Sequence, residues 1–116
     1  TVLSGDDPGC AGSIRAGADG VISVASNVAP FAMRLLCRQA GEGGAAELEE
    51  KLQPLFSFAG IEPNPIPIKA LLTRMGIGHG LRLPLLPLSR HHEAEAARIL
   101  GLVEQIEHTC RDTLAA

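Results

Sequence analysis

Gly20-Val21-Ile22-Ser23-Val24-Ala25 is a short β-branched run that carries no charge. A parallel strand covered on both faces reads this way, and its assignment as a strand decides the fold. Upstream, Thr1 to Ser4 is apolar and β-prone, and it stops at Gly5-Asp6-Asp7-Pro8-Gly9, a cluster that must turn the chain. Between the two runs, Cys10 to Gly17 is rich in Ala and Gly with Ile14 as its one large apolar residue, which predicts a small helix lying on the sheet. The order is strand, helix, strand. Two parallel strands with one crossover cannot cover both of their faces unaided.

Downstream the hydrophobic period changes to that of helices. Asn27 is placed to cap a helix, and Pro30 is tolerated in a first turn. From Val28 to Ala40, Phe31, Leu35, Leu36 and Ala40 recur at helical spacing, with Arg34 and Arg38 on the wet side. Gly41-Glu42-Gly43-Gly44 stops that helix. A second helix is expected from Ala45 to Phe58, with the stripe Leu48, Leu52, Leu55 and Phe56 and a bend at Pro54. Three prolines in Pro63-Asn64-Pro65-Ile66-Pro67 delete backbone donors, so helix becomes possible only from Pro65 or Pro67 onward, and a short helix is expected from Ile68 to Met75, closed by Gly76 and Gly78. Leu81 to Leu88 reads as an extended, proline-stiffened connection whose leucines must bury. A last helix is expected from Arg90 to Leu114, its faces marked by Ala94, Ala97, Leu100, Val103 and Ile106 or Glu107.

Composition bounds the function. The chain has 116 residues, 46% of them hydrophobic and 20% charged, and a formal net charge of −3. That balance offers no basic field for a phosphate backbone, so nucleic acid is not an expected partner. No apolar run reaches the roughly 18 residues that span a bilayer. Cys10, Cys37 and Cys110 are widely spaced and odd in number, which suggests reduced, buried thiols in a cytoplasmic protein rather than a disulfide framework or a zinc site. His91 and His92 are adjacent and would point apart on a helix, and His79 and His108 stand alone, so no metal site is expected.

Three stretches carry a specific resemblance: Leu3-Ser4-Gly5-Asp6-Asp7; Gly20 to Val28; and Glu62-Pro63-Asn64-Pro65-Ile66-Pro67-Ile68-Lys69 followed by Leu81-Arg82-Leu83-Pro84. In this order and spacing they resemble dihydrodipicolinate synthase over essentially the whole chain, least clearly in the final helix. The resemblance implies an α/β fold, a (β/α)8 TIM barrel of which this is the C-terminal segment. Residues 1–43 would hold the last two β/α units, and residues 44–116 a C-terminal helical domain. A complete barrel needs roughly 250 residues, and Thr1-Val2-Leu3 reads as the middle of a strand, so the chain is expected to be a segment.

The resemblance implies a lyase that condenses pyruvate with L-aspartate 4-semialdehyde on the way to lysine and diaminopimelate, through a Schiff base on a barrel lysine. It implies no cofactor, and a homotetramer built as a dimer of dimers. The Schiff-base lysine and the proton relay would lie upstream of Thr1. Lys51 and Lys69 both fall on expected helices, whereas barrel chemistry sits at the C-terminal ends of strands, and neither is taken as the nucleophile.

The segment is therefore expected to supply pocket wall. Gly5 ends the first strand, where its carbonyl could meet the second substrate or where a glycine could serve only the turn. Ile22 resembles the family residue that packs beside pyruvate; ordinary barrel packing is its other reading. Asp6 and Asp7 are more cheaply explained by turn formation or capping than by acid–base pairing. Asn64, held extended before a proline, could aim its amide at the barrel mouth or could simply form a turn. Other pyruvate aldolases, acting on N-acetylneuraminate or keto-deoxy sugar acids, and a noncatalytic chain that only docks to a partner half, are the competing functions.

Overall fold

The computed structural model describes residues 1–116. Strand β1 (Leu3–Ser4) pairs in parallel with β2 (Gly20–Val21), in the register Leu3 opposite Gly20 and Ser4 opposite Val21. Flanking bonds lengthen the ladder: Asp19 N–H donates to Val2 O at 2.7 Å and Ile22 N–H to Ser4 O at 2.8 Å. Helix α1 (Cys10–Arg15) crosses between the strands. The expected strand over Val21–Ala25 is cut short. Its partner ends at Ser4, where the hydroxyl accepts Asp6 N–H and turns the chain, and a strand cannot outlast its partner. Beyond Ile22 the chain instead enters a 3-10 turn at Ala25–Asn27.

Four further helices follow: α2 (Pro30–Gly41), α3 (Ala46–Ala59), α4 (Ile66–Arg74) and α5 (Glu93–Ala115). The stripe expected on α3 is buried, and Pro54 lies inside that helix. On α2, Leu35, Leu36 and Ala40 are buried as expected, but Phe31 is 40% exposed. Phe31 sits in the first turn, and Ala32 and Met33 take the inward places. On α5, Val103 and Ile106 are buried as expected and Leu100 is half-buried, but Ala94 and Ala97 are exposed, and Ala96, Ile99 and Cys110 complete the buried stripe. Bulk decides this: the larger β-branched residues at spacings of three and four set which side of the helix faces the core.

Asn27 does not cap α2. Its Nδ2 donates to Val24 O within the 3-10 turn, and the N-cap position falls on Ala29, which has no side-chain acceptor. The open donors are met from the far end of the chain, where the Glu107 carboxylate on α5 accepts Phe31 N–H at 3.2 Å and Ala32 N–H at 2.7 Å.

One continuous apolar core runs from Cys10 and Ala11 on α1 through α2, α3 and α4 to Cys110 on α5, and no charged or polar residue is fully buried in it. The connection over Leu81–Leu88 seats only part of its leucines. Leu88 is buried and Leu81 and Leu85 are half-buried, whereas Leu83 is 83% and Leu86 63% exposed. A clasp holds its end, with Ser89 N–H and Oγ donating to the Glu62 carboxylate at 2.8 and 3.1 Å. The Ser89 N–H, ahead of its hydroxyl, holds the Glu62 carboxyl below the ordinary carboxylate range.

Candidate functional site

Parallel pairing puts the C-terminal ends of β1 and β2 on one edge, so Gly5 and Ile22 emerge side by side, linked by the Ile22 N–H to Ser4 O bond. Ile22 points away from the core and is 70% exposed, while Val21 and Val24 pack against it. Gly5 has no left-handed φ, and a Cβ built on it would meet nothing within 4 Å. The turn therefore does not require a glycine there.

The adjacent acids part company. Asp6 Oδ2 accepts Gly9 N–H at 3.0 Å and closes the turn into α1. Asp7 reaches the other way, where its Oδ2 accepts Val24 N–H at 3.0 Å and Ala25 N–H at 2.8 Å. Its Oδ1 is buried without a hydrogen-bond partner. Sequence reasoning did not single out this bridge. A carboxylate three residues past a strand end is the one available signal, because the partner amides lie 17 and 18 residues away.

Asn64 is exposed and lies on the connection between α3 and α4. Ile66 N–H donates to Pro63 O at 2.9 Å, closing a turn around Asn64 and Pro65. The cavities walled by α2, α3, α4 and α5 and by the Gly80–Leu88 connection are not lined by Gly5, Asp6, Ile22 or Asn64.

The two lysines sit on α3 and α4 and face solvent. Lys51 Nζ donates to Glu47 Oε1 at 2.8 Å, and that bond pushes the ammonium pKa up, opposite to the direction a Schiff-base amine needs. His91 and His92 fall in a 3-10 turn (Arg90–His92), and their ring centroids are 3.9 Å apart. Their ring planes are tilted by 46°, so the two imidazoles touch at an angle without lying parallel. No three His, Cys, Asp or Glu side chains gather as a metal would require. The three cysteines are free thiols, and burial pushes Cys10 up to about 11, helped by the nearby Cys37 and Asp7. No helix is long and apolar enough to cross a membrane.

A strand end carrying an exposed aliphatic and a glycine, followed by helices only, is the arrangement found in the C-terminal part of a (β/α)8 barrel with a helical extension. The structure of a chloride-inhibited dihydrodipicolinate synthase from Acinetobacter baumannii, complexed with pyruvate, matches with a TM-score of 0.83 at 39% identity, over 90% of this chain and 37% of that one. A dihydrodipicolinate synthase variant described as monomeric matches with a TM-score of 0.84 at 42% identity, over 90% of this chain and 36% of that one.

The model of the dihydrodipicolinate synthetase family matches residues 1–102, and the chain belongs to that family. It is 55% identical over 109 residues to the 4-hydroxy-tetrahydrodipicolinate synthase of Stenotrophomonas maltophilia, covering 91% of this chain and 37% of the relative. The chain thus spans a little over a third of the length of the relatives it matches.

Proposed function

We propose that this chain serves as the C-terminal part of a pyruvate-dependent lyase that condenses pyruvate with L-aspartate 4-semialdehyde in lysine and diaminopimelate biosynthesis. The carrying observation is the register: in a chain of this family, Gly5 and Ile22 leave adjacent parallel strands at one end. That end is where barrel enzymes place their chemistry. The Schiff-base lysine belongs to a part of the polypeptide outside these residues, since Lys51 is held charged by Glu47 and Lys69 lies exposed on α4.

In this reading Ile22 packs beside the bound keto acid. Gly5 keeps a side chain out of the pocket so that its carbonyl can reach the second substrate, and the absence of any backbone demand for glycine there supports this role. Asp6 and Asn64 are the other polar contacts to the second substrate, both exposed on turns. Residues 1–43 contribute the last two β/α units and residues 44–116 the helical domain. The whole enzyme works in the cytoplasm as a homotetramer.

The test is the denaturing intact mass of the full-length protein after incubation with pyruvate and borohydride, which reduces an imine to a stable amine. A single pyruvate adduct outside these 116 residues is expected, and an adduct on Lys51 or Lys69 overturns the assignment. Turnover with L-aspartate 4-semialdehyde, and not with N-acetylneuraminate, separates the synthase from the related aldolases. Sedimentation of the same sample reads the oligomer.

A further inference from the structure

The chain leaves the sheet at Ile22 and is helical by Ala25, so its backbone changes from extended to coiled within four residues. The first N–H groups of any helical turn lack partners inside it. Here Ser23 Oγ accepts Ser26 N–H at 2.9 Å, and the other two open donors, Val24 N–H and Ala25 N–H, converge on a single oxygen, Asp7 Oδ2, at 3.0 and 2.8 Å. Asp7 lies two residues beyond Gly5, and Val24 two residues beyond Ile22. One carboxylate therefore ties together the two loops that begin at the strand ends. Its second oxygen is buried with no partner, a solvation penalty that an ordinary surface turn residue would not carry.

We propose that Asp7 is a positioning residue whose carboxylate clamps the loop after β2 onto the loop after β1 and so fixes Ile22 and Gly5 against the keto acid. The Ile22 backbone is held by Ser4 O on one flank and by the Asp7 clamp on the other. Removing the clamp leaves one flank. The geometry also ranks substitutions. In Asp7→Asn the amide oxygen can take the place of Oδ2 and keep both bonds in neutral form, with an NH2 group where the unpartnered oxygen sits. In Asp7→Ala both bonds are lost.

The proposal rests on the pyruvate-lyase reading, and the experiment separates the two. Full-length wild type, Asp7→Asn, Asp7→Ala and a Glu62→Gln control are compared by amide exchange over residues 22–27 and by steady-state kinetics with pyruvate varied. For Asp7→Ala, exchange at Val24 and Ala25 should rise about tenfold or more, as expected when hydrogen bonds to a charged acceptor are lost. The KM for pyruvate should rise about tenfold with kcat within about threefold, the signature of lost ground-state placement. Asp7→Asn should fall between it and wild type on both readouts.

Glu62→Gln loosens the distant Ser89 clasp and should leave KM unchanged, which excludes a general effect of destabilisation. An Asp7→Ala protein with faster exchange and an unchanged KM overturns the positioning role, as does unchanged exchange. If Asp7→Ala does not fold, Asp7→Asn decides alone, and wild-type values on both readouts overturn the role. A wild type that forms no borohydride-trapped pyruvate adduct sinks the lyase reading and the positioning role with it, while the exchange data still report whether Asp7 clamps the loops.

Discussion

Replacing Glu107 tests whether α2 is capped from the opposite end of the chain. In α2, Ala29 is the N-cap, Pro30 the first helical residue, and Phe31 and Ala32 the second and third. A Ser, Thr, Asp or Asn at the N-cap would satisfy those N–H groups, and losing such a cap costs about 1 kcal/mol. Here the acceptor is charged and sits at the positive end of the helix dipole, which adds about 0.3–1 kcal/mol. Glu107→Ala should therefore cost about 2 kcal/mol, roughly a thirtyfold shift in the folding equilibrium. Glu107→Gln, which keeps the oxygen and loses the charge, should cost about 1 kcal/mol. Urea unfolding at fixed protein concentration gives the totals, and amide exchange at Phe31 and Ala32 localises them. A loss below about 0.5 kcal/mol for Glu107→Ala, without faster exchange at those two amides, refutes the capping argument.

Two further outcomes follow from the core and the thiols. Leu52 is fully buried on α3, and Leu52→Ala should destabilise by about 2–5 kcal/mol with the secondary structure retained, read by thermal unfolding. Cys10 is raised from 9.0 to about 11 by burial, so its preference for the neutral thiol contributes stability that is whole below pH 9.0 and is lost as the pH rises through about 11. Cys10→Ala should flatten that alkaline loss, and at pH 8 the native Cys10 should react with a thiol reagent far more slowly than after unfolding.

The helical half was legible because its signals are local. Leu48, Leu52, Leu55 and Phe56 fall on one side of α3 at helical spacing, and the structure buries all four. On α5 the local signal placed Val103 and Ile106 inside, while Ile99, which outweighs the small Ala94 and Ala97 chosen beside them, was missed. What stayed hidden depends on pairing across the chain. The length of β2 is set by where β1 ends, Glu107 answers amides 75 and 76 residues away, and Asp7 answers amides 17 and 18 residues away. For the candidate site, the residues at the strand ends could be named from the motif, but the carboxylate that holds their loops could not be found from spacing alone.

The parallel pair described above has two strands and therefore two edges, with no interior strand between them. Val2, Leu3 and Ile22 stand exposed along it. Unpaired backbone groups beside apolar side chains are a template for further strand addition. Expressed by itself, this chain would present that template to its neighbours while its helices folded locally, so self-association through the strands, rather than loss of helix, is its expected route out of solution.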